Sequence, residues 1–321
     1  FPYLNSLQHG FRQNRSCVNQ MIQYVHFLAS TLDSGGQLDT ILYLDMAKAF
    51  DRVSHQKLLY KLRYLGFRDP LLSWIEDYLT IRRHRVIIEG VASQETSYVG
   101  VPQGSIIEPI LLLIISTDSF LHLFADDAKL CRAITTHIDC SIFQVDISSV
   151  NTWCETWDMI FNPIKCKHLR ITKKRNPVCA TYHLVTNVLI LSKKQKDRDQ
   201  LISQFIPVDH IMLKVNIANQ MLGMIQRTCG RRPSSDVYMH TPCETLLEYA
   251  CEVWSLHQAY QVDILEGVQR RATKVIIKHK PYGKRLKDME LLSLVSKRKY
   301  FDLIFLFKCR QGLCEIEILT I

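Results

Sequence analysis

The apolar positions of the first 80 residues predict helices that alternate with one buried strand. Between residues 15 and 32 they recur at helical spacing, and Ser34-Gly35-Gly36 then ends the pattern. Residues 41–44 form a continuous apolar run that stops at Asp45, which is typical of a buried strand with a carboxylate at its end. Helical spacing returns over residues 54–66 and 70–81.

Two hairpins and a helical region are predicted further along the chain. Residues 85–89 and 96–99 indicate one hairpin. Residues 121–124 and 128–131 indicate a second one, with Asp126-Asp127 in its turn. In the last third of the chain most apolar positions return to helical spacing. An α+β N-terminal half is therefore expected to precede a mainly helical C-terminal half.

Composition excludes several classes of protein. With 47% hydrophobic and 22% charged residues, the chain cannot be wholly disordered. Its longest apolar run, residues 109–115, is far shorter than the roughly 18 residues of a membrane span. The 321 residues predict two domains, at a typical length of about 150 residues each. The eleven cysteines contain no CxxC pair, so no structural zinc is expected.

The net charge of +9 is concentrated in two basic stretches of the C-terminal half. Residues 165–200 carry ten Lys and Arg against two Asp, and residues 261–300 carry eleven against four acidic residues. The rest of the chain is therefore net acidic. Such stretches are either solvated faces or surfaces for a phosphate backbone, and the charge pattern alone leaves both interpretations open.

Two separate carboxylate positions indicate metal chemistry. Asp45 ends an apolar strand, and Asp126 lies in the turn of an apolar hairpin. If the two strands are neighbours in one sheet, the carboxylates converge, and Mg²⁺ prefers such hard oxygen ligands. Two ions roughly 3.5–4 Å apart serve an in-line phosphoryl displacement. Taken alone this signal is weak, because an Asp-Asp pair at a turn is most often only a turn.

Three ordered motifs strengthen the signal. They are Leu44-Asp45-Met46-Ala47-Lys48-Ala49-Phe50-Asp51-Arg52-Val53-Ser54-His55, Gly100-Val101-Pro102-Gln103-Gly104-Ser105 and Leu123-Phe124-Ala125-Asp126-Asp127-Ala128-Lys129-Leu130. Together they resemble the palm of a reverse transcriptase, of the non-LTR retrotransposon type (LINE, jockey-like). Residues 8–17, 153–167 and 247–274 extend the resemblance over nearly the whole chain, least well between about 180 and 245.

The resemblance implies an α+β fold in which a palm, an antiparallel sheet with packed helices, carries partial fingers and is followed by a mainly helical thumb-like region. The implied domains are partial fingers over residues 1–40, a catalytic palm over 41–180 and a helical thumb or connector-like region over 181–321. The palm is shortened between residues 106 and 123 relative to the family pattern.

The same resemblance implies the catalytic residues. Asp45 and Asp126 would hold two Mg²⁺ ions, for which Mn²⁺ could substitute. The carbonyl of Met46 would add a ligand, and Asp127 would support the site.

Further residues are implied to bind nucleotide or template. Phe50 would lie under the sugar of the incoming nucleotide, although a core aromatic after a strand explains it as well. Gln103 and Gly104 would approach the base pair, and a tight turn is the alternative for Gly104 but leaves Gln103 unexplained. Lys165 would donate a proton to the departing pyrophosphate or is simply a solvated lysine, and Arg12 would reach the triphosphate.

The implied function is an RNA-directed DNA polymerase of a mobile element. It would use deoxynucleoside triphosphates to extend a DNA primer on an RNA template, with the basic stretches along the primer–template. No membrane partner is expected, and an intracellular, nuclear localisation follows from the family. The short 106–123 segment and the start at Phe1 lead us to interpret the chain as a truncated or partly deleted copy, a fragment. The alternative is a catalytically dead remnant that acts at most as a basic RNA- or DNA-binding protein.

Overall fold

The structure, a computed structural model, divides the chain into two compact units. One comprises residues 1–20 and 28–192, and the other residues 21–27 and 193–321. The residues whose structure is described are 8–42, 51–80, 82–97, 100–101, 122–124, 127–162, 165–192, 194–197, 200–203, 208–228, 246–254 and 258–315. The division into fingers, palm and thumb at residues 40 and 180 stays a prediction.

The helices lie close to their predicted positions. The described helices are α1 (Cys17–Asp33), α2 (His55–Tyr64), α3 (Leu71–Thr80), α4 (His137–Thr156), α5 (Val208–Thr228), α6 (Ala259–Ile276), α7 (Tyr282–Asp288) and α8 (Leu294–Arg310). The described strands are β1 (Gln37–Leu42), β2 (Arg83–His84), β3 (Ile87–Ile88), β4 (Val91–Ala92), β5 (Thr96–Ser97), β6 (His122–Phe124), β7 (Asp127–Ile134), β8 (Lys167–Thr172), β9 (His183–Leu184), β10 (Asn187–Val188), β11 (Ile190–Ser192), β12 (Lys194–Asp197) and β13 (Gln200–Ser203).

Local sequence explains where several helices begin. The side chain of Ser16 accepts a hydrogen bond from the backbone N–H of Asn19 and so caps α1. Helix α4 begins with a capping box, in which Thr136 and Asp139 each bond the other's backbone N–H. Hydrogen bonds from Thr135, and then from Thr136, to this carboxylate hold the pKa of Asp139 well below its usual range. The acid is therefore charged at the positive end of the helix dipole, where charge of that sign is favourable.

A five-stranded sheet forms the centre of the first unit, in the order β11-β8-β1-β7-β6. Strand β1 is antiparallel to both of its neighbours, β7 and β8. The sheet was expected to be antiparallel, and this holds for β8-β1-β7-β6, whereas the edge strand β11 runs parallel to β8. The apolar core against which the sheet packs includes Ile41, Leu58, Ile75, Leu130 and Phe143.

The predicted pairing of residues 85–89 with 96–99 is corrected in detail. Ile87 and Ile88 of β3 pair with β4, and the short strand β5 pairs instead with β2. The reason lies in the turn, because Glu89 and Gly90 both have positive φ (50° and 85°), which closes a two-residue hairpin directly after Ile88.

The second unit is mainly helical, as expected, and also contains the β12–β13 hairpin. Its separate core is formed by apolar side chains of α5, α6 and the segment between them, among them Ile211, Leu222, Trp254, Leu265 and Val268. Within the described ranges, we find no helix with both the length and the apolar character needed to cross a bilayer.

Candidate functional site

Three neighbouring strands bring separate parts of the chain to one end of the central sheet. Because β1 is antiparallel to β7 and β8, its C-terminal end lies beside the N-terminal ends of both neighbours. Ile41 is paired with Leu130 of β7 and with His168 of β8, and Leu42 is paired with Lys167. We call this end of the sheet, where β1 ends and β7 and β8 begin, the β1 terminus.

The predicted hairpin after Leu121 is confirmed. Its strands β6 and β7 are antiparallel, and Phe124 is paired with Asp127. Two residues, Ala125 and Asp126, stand between these paired positions in the sequence and lie outside the described residues. Asp127 is the first residue of β7, so its backbone belongs to the β1 terminus.

Most of the predicted site residues lie outside the described part of the chain, and their roles stay predictions. These residues are Asp45, Met46, Phe50, Gln103, Gly104 and Asp126.

The remaining three predicted residues are described: Asp127 at the start of β7, Lys165 and Arg12. Lys165 is exposed and lies in a turn two residues before β8, with its N–H bonded to the carbonyl of Asn162 at 3.1 Å. It therefore lies just before the β1 terminus, and its donation of a proton to pyrophosphate stays a prediction. Arg12 is half-buried in the turn region ahead of α1, and its contact with a triphosphate stays a prediction.

A histidine that sequence reasoning left without a role ties two motif segments together. His55 Nε2 lies 2.6 Å from the carbonyl oxygen of Gly100 and donates to it. Val53 and Val101, which flank the two ends of this bond, are fully buried in the same core. Gly100 has φ of 93°, a conformation that favours glycine. The first motif is therefore held against the start of the second.

A buried polar cluster around Asp39 was also missed by sequence reasoning. The carboxylate is fully buried and accepts hydrogen bonds from Tyr182 Oη at 2.8 Å, Gln37 Nε2 at 2.9 Å and Arg170 Nε at 3.3 Å. His168 Nε2 lies 3.3 Å from Asp39 Oδ2, the oxygen that also accepts from Tyr182. We call Gln37, Asp39, His168, Arg170 and Tyr182 the Asp39 cluster. The one sequence signal was the charged residue Asp39 close before the apolar run that starts at Ile41.

The electrostatics of the cluster favour a charged carboxylate. Burial by itself raises the pKa of Asp39, but hydrogen bonding and charge from His168, with hydrogen bonds from Tyr182 and Gln37, outweigh burial and lower it. Burial, a hydrogen bond with Cys140 and the charge of Asp39 raise the pKa of Tyr182. Tyr182 therefore stays protonated and donates. The cluster joins β1 to β8 and to the segment that follows β8.

Comparison with known proteins identifies the family. The model of the family described as reverse transcriptase (RNA-dependent DNA polymerase) matches residues 2–199, which is more than half of the chain. The chain therefore belongs to the reverse transcriptase family, as the three motifs indicated. Reverse transcriptases generally depend on divalent metal ions.

The relatives identify the branch of that family. The chain is 24% identical over 293 residues to the probable RNA-directed DNA polymerase from transposon BS of Drosophila melanogaster, covering 84% of this chain and 32% of the relative. To the probable RNA-directed DNA polymerase from transposon X-element of Drosophila melanogaster it is 24% identical over 289 residues, which cover 84% of this chain and 31% of the relative. To the RNA-directed DNA polymerase from mobile element jockey of the same species it is 27% identical over 183 residues, which cover 52% of this chain and 20% of the relative. The resemblance to jockey-like elements is confirmed, and the chain spans about a third or less of these relatives' length.

Solved structures of telomerase are also similar. The telomerase of Candida albicans, in complex with a fragment of telomeric RNA, has a TM-score of 0.41 at 11% identity, and the match covers 86% of this chain and 54% of the telomerase chain.

Proposed function

We propose that this chain is the polymerase region of an RNA-directed DNA polymerase of a mobile element, which extends a DNA primer on an RNA template. Membership of the reverse transcriptase family supports the reaction class. The names of the transposon relatives support an RNA template and a DNA product. Deoxynucleoside triphosphates are the substrates that this reaction consumes.

The pairing of β1 with β7 carries the proposal. The described register ends with Ile41 paired with Leu130. Asp45 follows Ile41 by four residues, and Asp126 precedes Leu130 by four residues, so the two carboxylates stand at the same distance from the last described pair. β1 and β7 are thus neighbours, which is the condition under which the sequence predicts that Asp45 and Asp126 converge. Such convergence is what a shared metal site needs.

The donor set in this region fits magnesium. Asp45 and Asp126 supply carboxylate oxygens, and Met46 supplies a backbone carbonyl, all hard ligands of the kind that Mg²⁺ takes. Bound Mg²⁺ would supply charge stabilisation to the phosphoryl group being transferred. Asp127, at the start of β7, adds negative charge that favours retention of the cations.

The other residues in this proposal position the substrates. Lys165 gives a proton to the departing pyrophosphate, and Arg12 contacts the triphosphate. The ring of Phe50 excludes a ribose 2′-hydroxyl, and Gln103 with Gly104 contacts the base pair. Such positioning supplies most of the catalysis in phosphoryl transfer, because little covalent chemistry is needed from the protein. We also propose a nuclear location, where target DNA lies.

Primer extension tests the proposal. The purified chain, with a labelled DNA primer on an RNA template, deoxynucleotides and Mg²⁺ or Mn²⁺, is expected to lengthen the primer. Asp45→Asn and Asp126→Asn should each abolish extension, since each removes a metal-binding charge. Asp77→Asn, which alters an exposed carboxylate of α3, is the control and should retain it.

The outcome also separates the two candidate functions. If the unaltered chain does not extend the primer with Mg²⁺ or with Mn²⁺, the proposed polymerase activity is refuted. Salt-sensitive RNA binding that persists in that inactive chain, and in the Asp45→Asn/Asp126→Asn double variant, would favour the alternative of a basic nucleic-acid-binding remnant.

A further inference from the structure

A cavity of about 200 Å³ lies between α6 and α8 of the helical unit. A cavity of about 150 Å³ is large enough to hold benzene, so this one has room for a molecule with a single ring. The apolar part of its wall is formed by buried and half-buried aliphatic side chains, namely Val262 and Leu265 of α6 with Leu294 and Val295 of α8. The cavity therefore offers a small apolar ring both volume and contacts.

The polar part of the wall contains a buried guanidinium with an unused donor. Arg298 is only 8% exposed, and its Nη1 and Nη2 atoms donate to the carbonyl oxygens of Trp254 and Leu247, at 3.5 and 3.0 Å. Its Nε–H is buried too and finds no acceptor among the residues that the structure describes. A buried donor without an acceptor is costly, so this N–H is suited to an acceptor that a ligand supplies.

A purely structural role explains only part of what Arg298 does. The guanidinium lies 3.8 Å from the ring of Trp254, and with its two Nη atoms it holds the segment 246–254. That role does not require Nε to be buried in the wall of a cavity. Burial also lowers the pKa of Arg298, and in the described part of the chain no carboxylate forms an ion pair with it. Its charge is therefore only partly compensated by the protein.

Asp302 provides an acceptor one helical turn further along α8. It lines the same cavity, and within the described ranges its carboxylate accepts no hydrogen bond and forms no ion pair. Four residues separate it from Arg298, which is about 6 Å along the helix axis. A carboxamide holds its oxygen and nitrogen about 2.2 Å apart. With one hydrogen bond of about 2.9 Å on each side, such a group can bridge the two residues.

The charges of the wall favour a neutral ligand. Glu266 is already engaged, because its carboxylate accepts from Tyr282 Oη and from the backbone N–H of Val295. An anionic ligand would be placed beside two acids and a cationic ligand beside two cations, whereas a neutral ligand avoids both penalties. The four charged side chains of the wall are Arg298, Lys299, Glu266 and Asp302.

We propose that the cavity between α6 and α8 binds a neutral small molecule that carries a carboxamide on one apolar ring. The carbonyl oxygen accepts from Arg298 Nε, the amide N–H donates to Asp302, and the ring packs against the aliphatic side chains of both helices. Because such a ligand contacts α6 and α8 together, it stabilises the folded helical unit. The binding uses no residue of the β1 terminus and requires no metal, nucleotide or nucleic acid, so it is independent of the proposed polymerase.

Binding of benzamide to the whole chain tests the proposal. Titration followed by saturation-transfer difference NMR should give a Kd of about 1 mM, as expected for a ligand of this size. Benzoate and benzylamine have the same ring and nearly the same size but are charged, and each should bind at least about tenfold more weakly. Absence of benzamide binding at concentrations well above that Kd, or equal binding of the three compounds, would overturn the proposal.

Filling the cavity shows whether the ligand binds there. Val262→Phe and Val295→Phe enlarge the wall from α6 and from α8, and each should abolish benzamide binding because the added ring takes the volume of the ligand. Val275→Phe makes the same change on α6 at a position that does not line this cavity, and it should retain binding. Circular dichroism checks that the variants are folded. Benzamide binding that persists in both wall variants, or that is lost equally in Val275→Phe, contradicts the proposed site.

Asp302→Asn tests the charge balance while keeping the shape of the wall. It leaves two cations against Glu266 alone, so the affinity for benzoate relative to benzamide should rise by about tenfold. Asp288→Asn changes an acid of α7 that does not line the cavity, and it should leave this ratio unchanged. If the ratio in Asp302→Asn equals that of the unaltered chain, Asp302 does not contact the ligand and the proposal fails.

Discussion

Replacing Asp39 tests how strongly its cluster stabilises the sheet. Asp39→Ala removes the acceptor of Tyr182, Gln37 and Arg170 and leaves the buried guanidinium of Arg170 without its counter-charge. Breaking a buried ion pair by removing one partner costs about 3–5 kcal/mol. Since whole domains are stable by only about 5–15 kcal/mol, we expect a loss of about a fifth of the stability or more. In a unit of this size that lowers the Tm by about 6–20 °C.

The isosteric variant isolates the charge. Asp39→Asn keeps an oxygen acceptor in place and should cost less, about 2 kcal/mol, the typical contribution of hydrogen bonds to a charged group. Asp33→Asn is the matched control: its ion pair with Lys173, at 3.4 Å, is exposed at both ends, so its loss should scarcely change stability. Urea denaturation followed by circular dichroism measures all three free energies of unfolding.

The pH dependence of these free energies has a defined sign. The folded-state pKa of Asp39 lies below its usual value of 3.8, so its charge contributes stability that is fully present above about pH 4 and is lost as the pH falls through the folded-state pKa. The difference between the unaltered chain and Asp39→Asn should therefore be constant from pH 7 to about pH 5 and shrink in more acidic solution. An Asp39→Ala cost below about 1 kcal/mol, or a difference that grows on acidification, would refute this reasoning.

Three further predictions concern single contacts, each measured as a change in the free energy of unfolding. Gly100→Ala should destabilise by about 1–2 kcal/mol because φ is positive there, whereas Gly283→Ala, in open space on α7, should not; equal effects would contradict the backbone argument. Thr136→Ala should cost about 1 kcal/mol through loss of the α4 N-cap, and no change would show that Asp139 caps alone. Arg298→Met should cost about 2–4 kcal/mol, because the guanidinium stacks 3.8 Å from the Trp254 ring and donates to the Leu247 carbonyl. The exposed neighbour Lys299→Met is its control, and a matching loss there would argue against burial as the cause.

The central elements were predictable because their signals are local. A Ser or Thr cap marks where α1 and α4 begin. The apolar run that begins at Ile41 predicts a strand, and β1 contains the first two residues of that run. The β3–β4 pairing was missed because it depends on the positive φ of Glu89, a residue that seldom adopts that conformation.

The convergence of Asp45 and Asp126 could be predicted from the sequence only on the condition that their strands are neighbours. Motif order places one carboxylate after β1 and another before β7, and it indicates that they converge if those strands are neighbours. That β1 and β7 are neighbours, with Ile41 paired with Leu130, is a property of the folded sheet.

The sequence by itself determined the family, the order of the elements and the charge that divides the chain into an acidic and a basic part. The tertiary structure alone decided which polar groups meet. Asp39 and Tyr182 are 143 residues apart along the chain, and Asn219 and Arg271 are 52 apart. Periodicity reports which face of an element is apolar, because it arises from the local geometry of helix and strand. Periodicity does not indicate which distant element covers that face, because strand pairing and helix packing in the folded chain determine it. The Asp39 cluster therefore exists only in the folded chain.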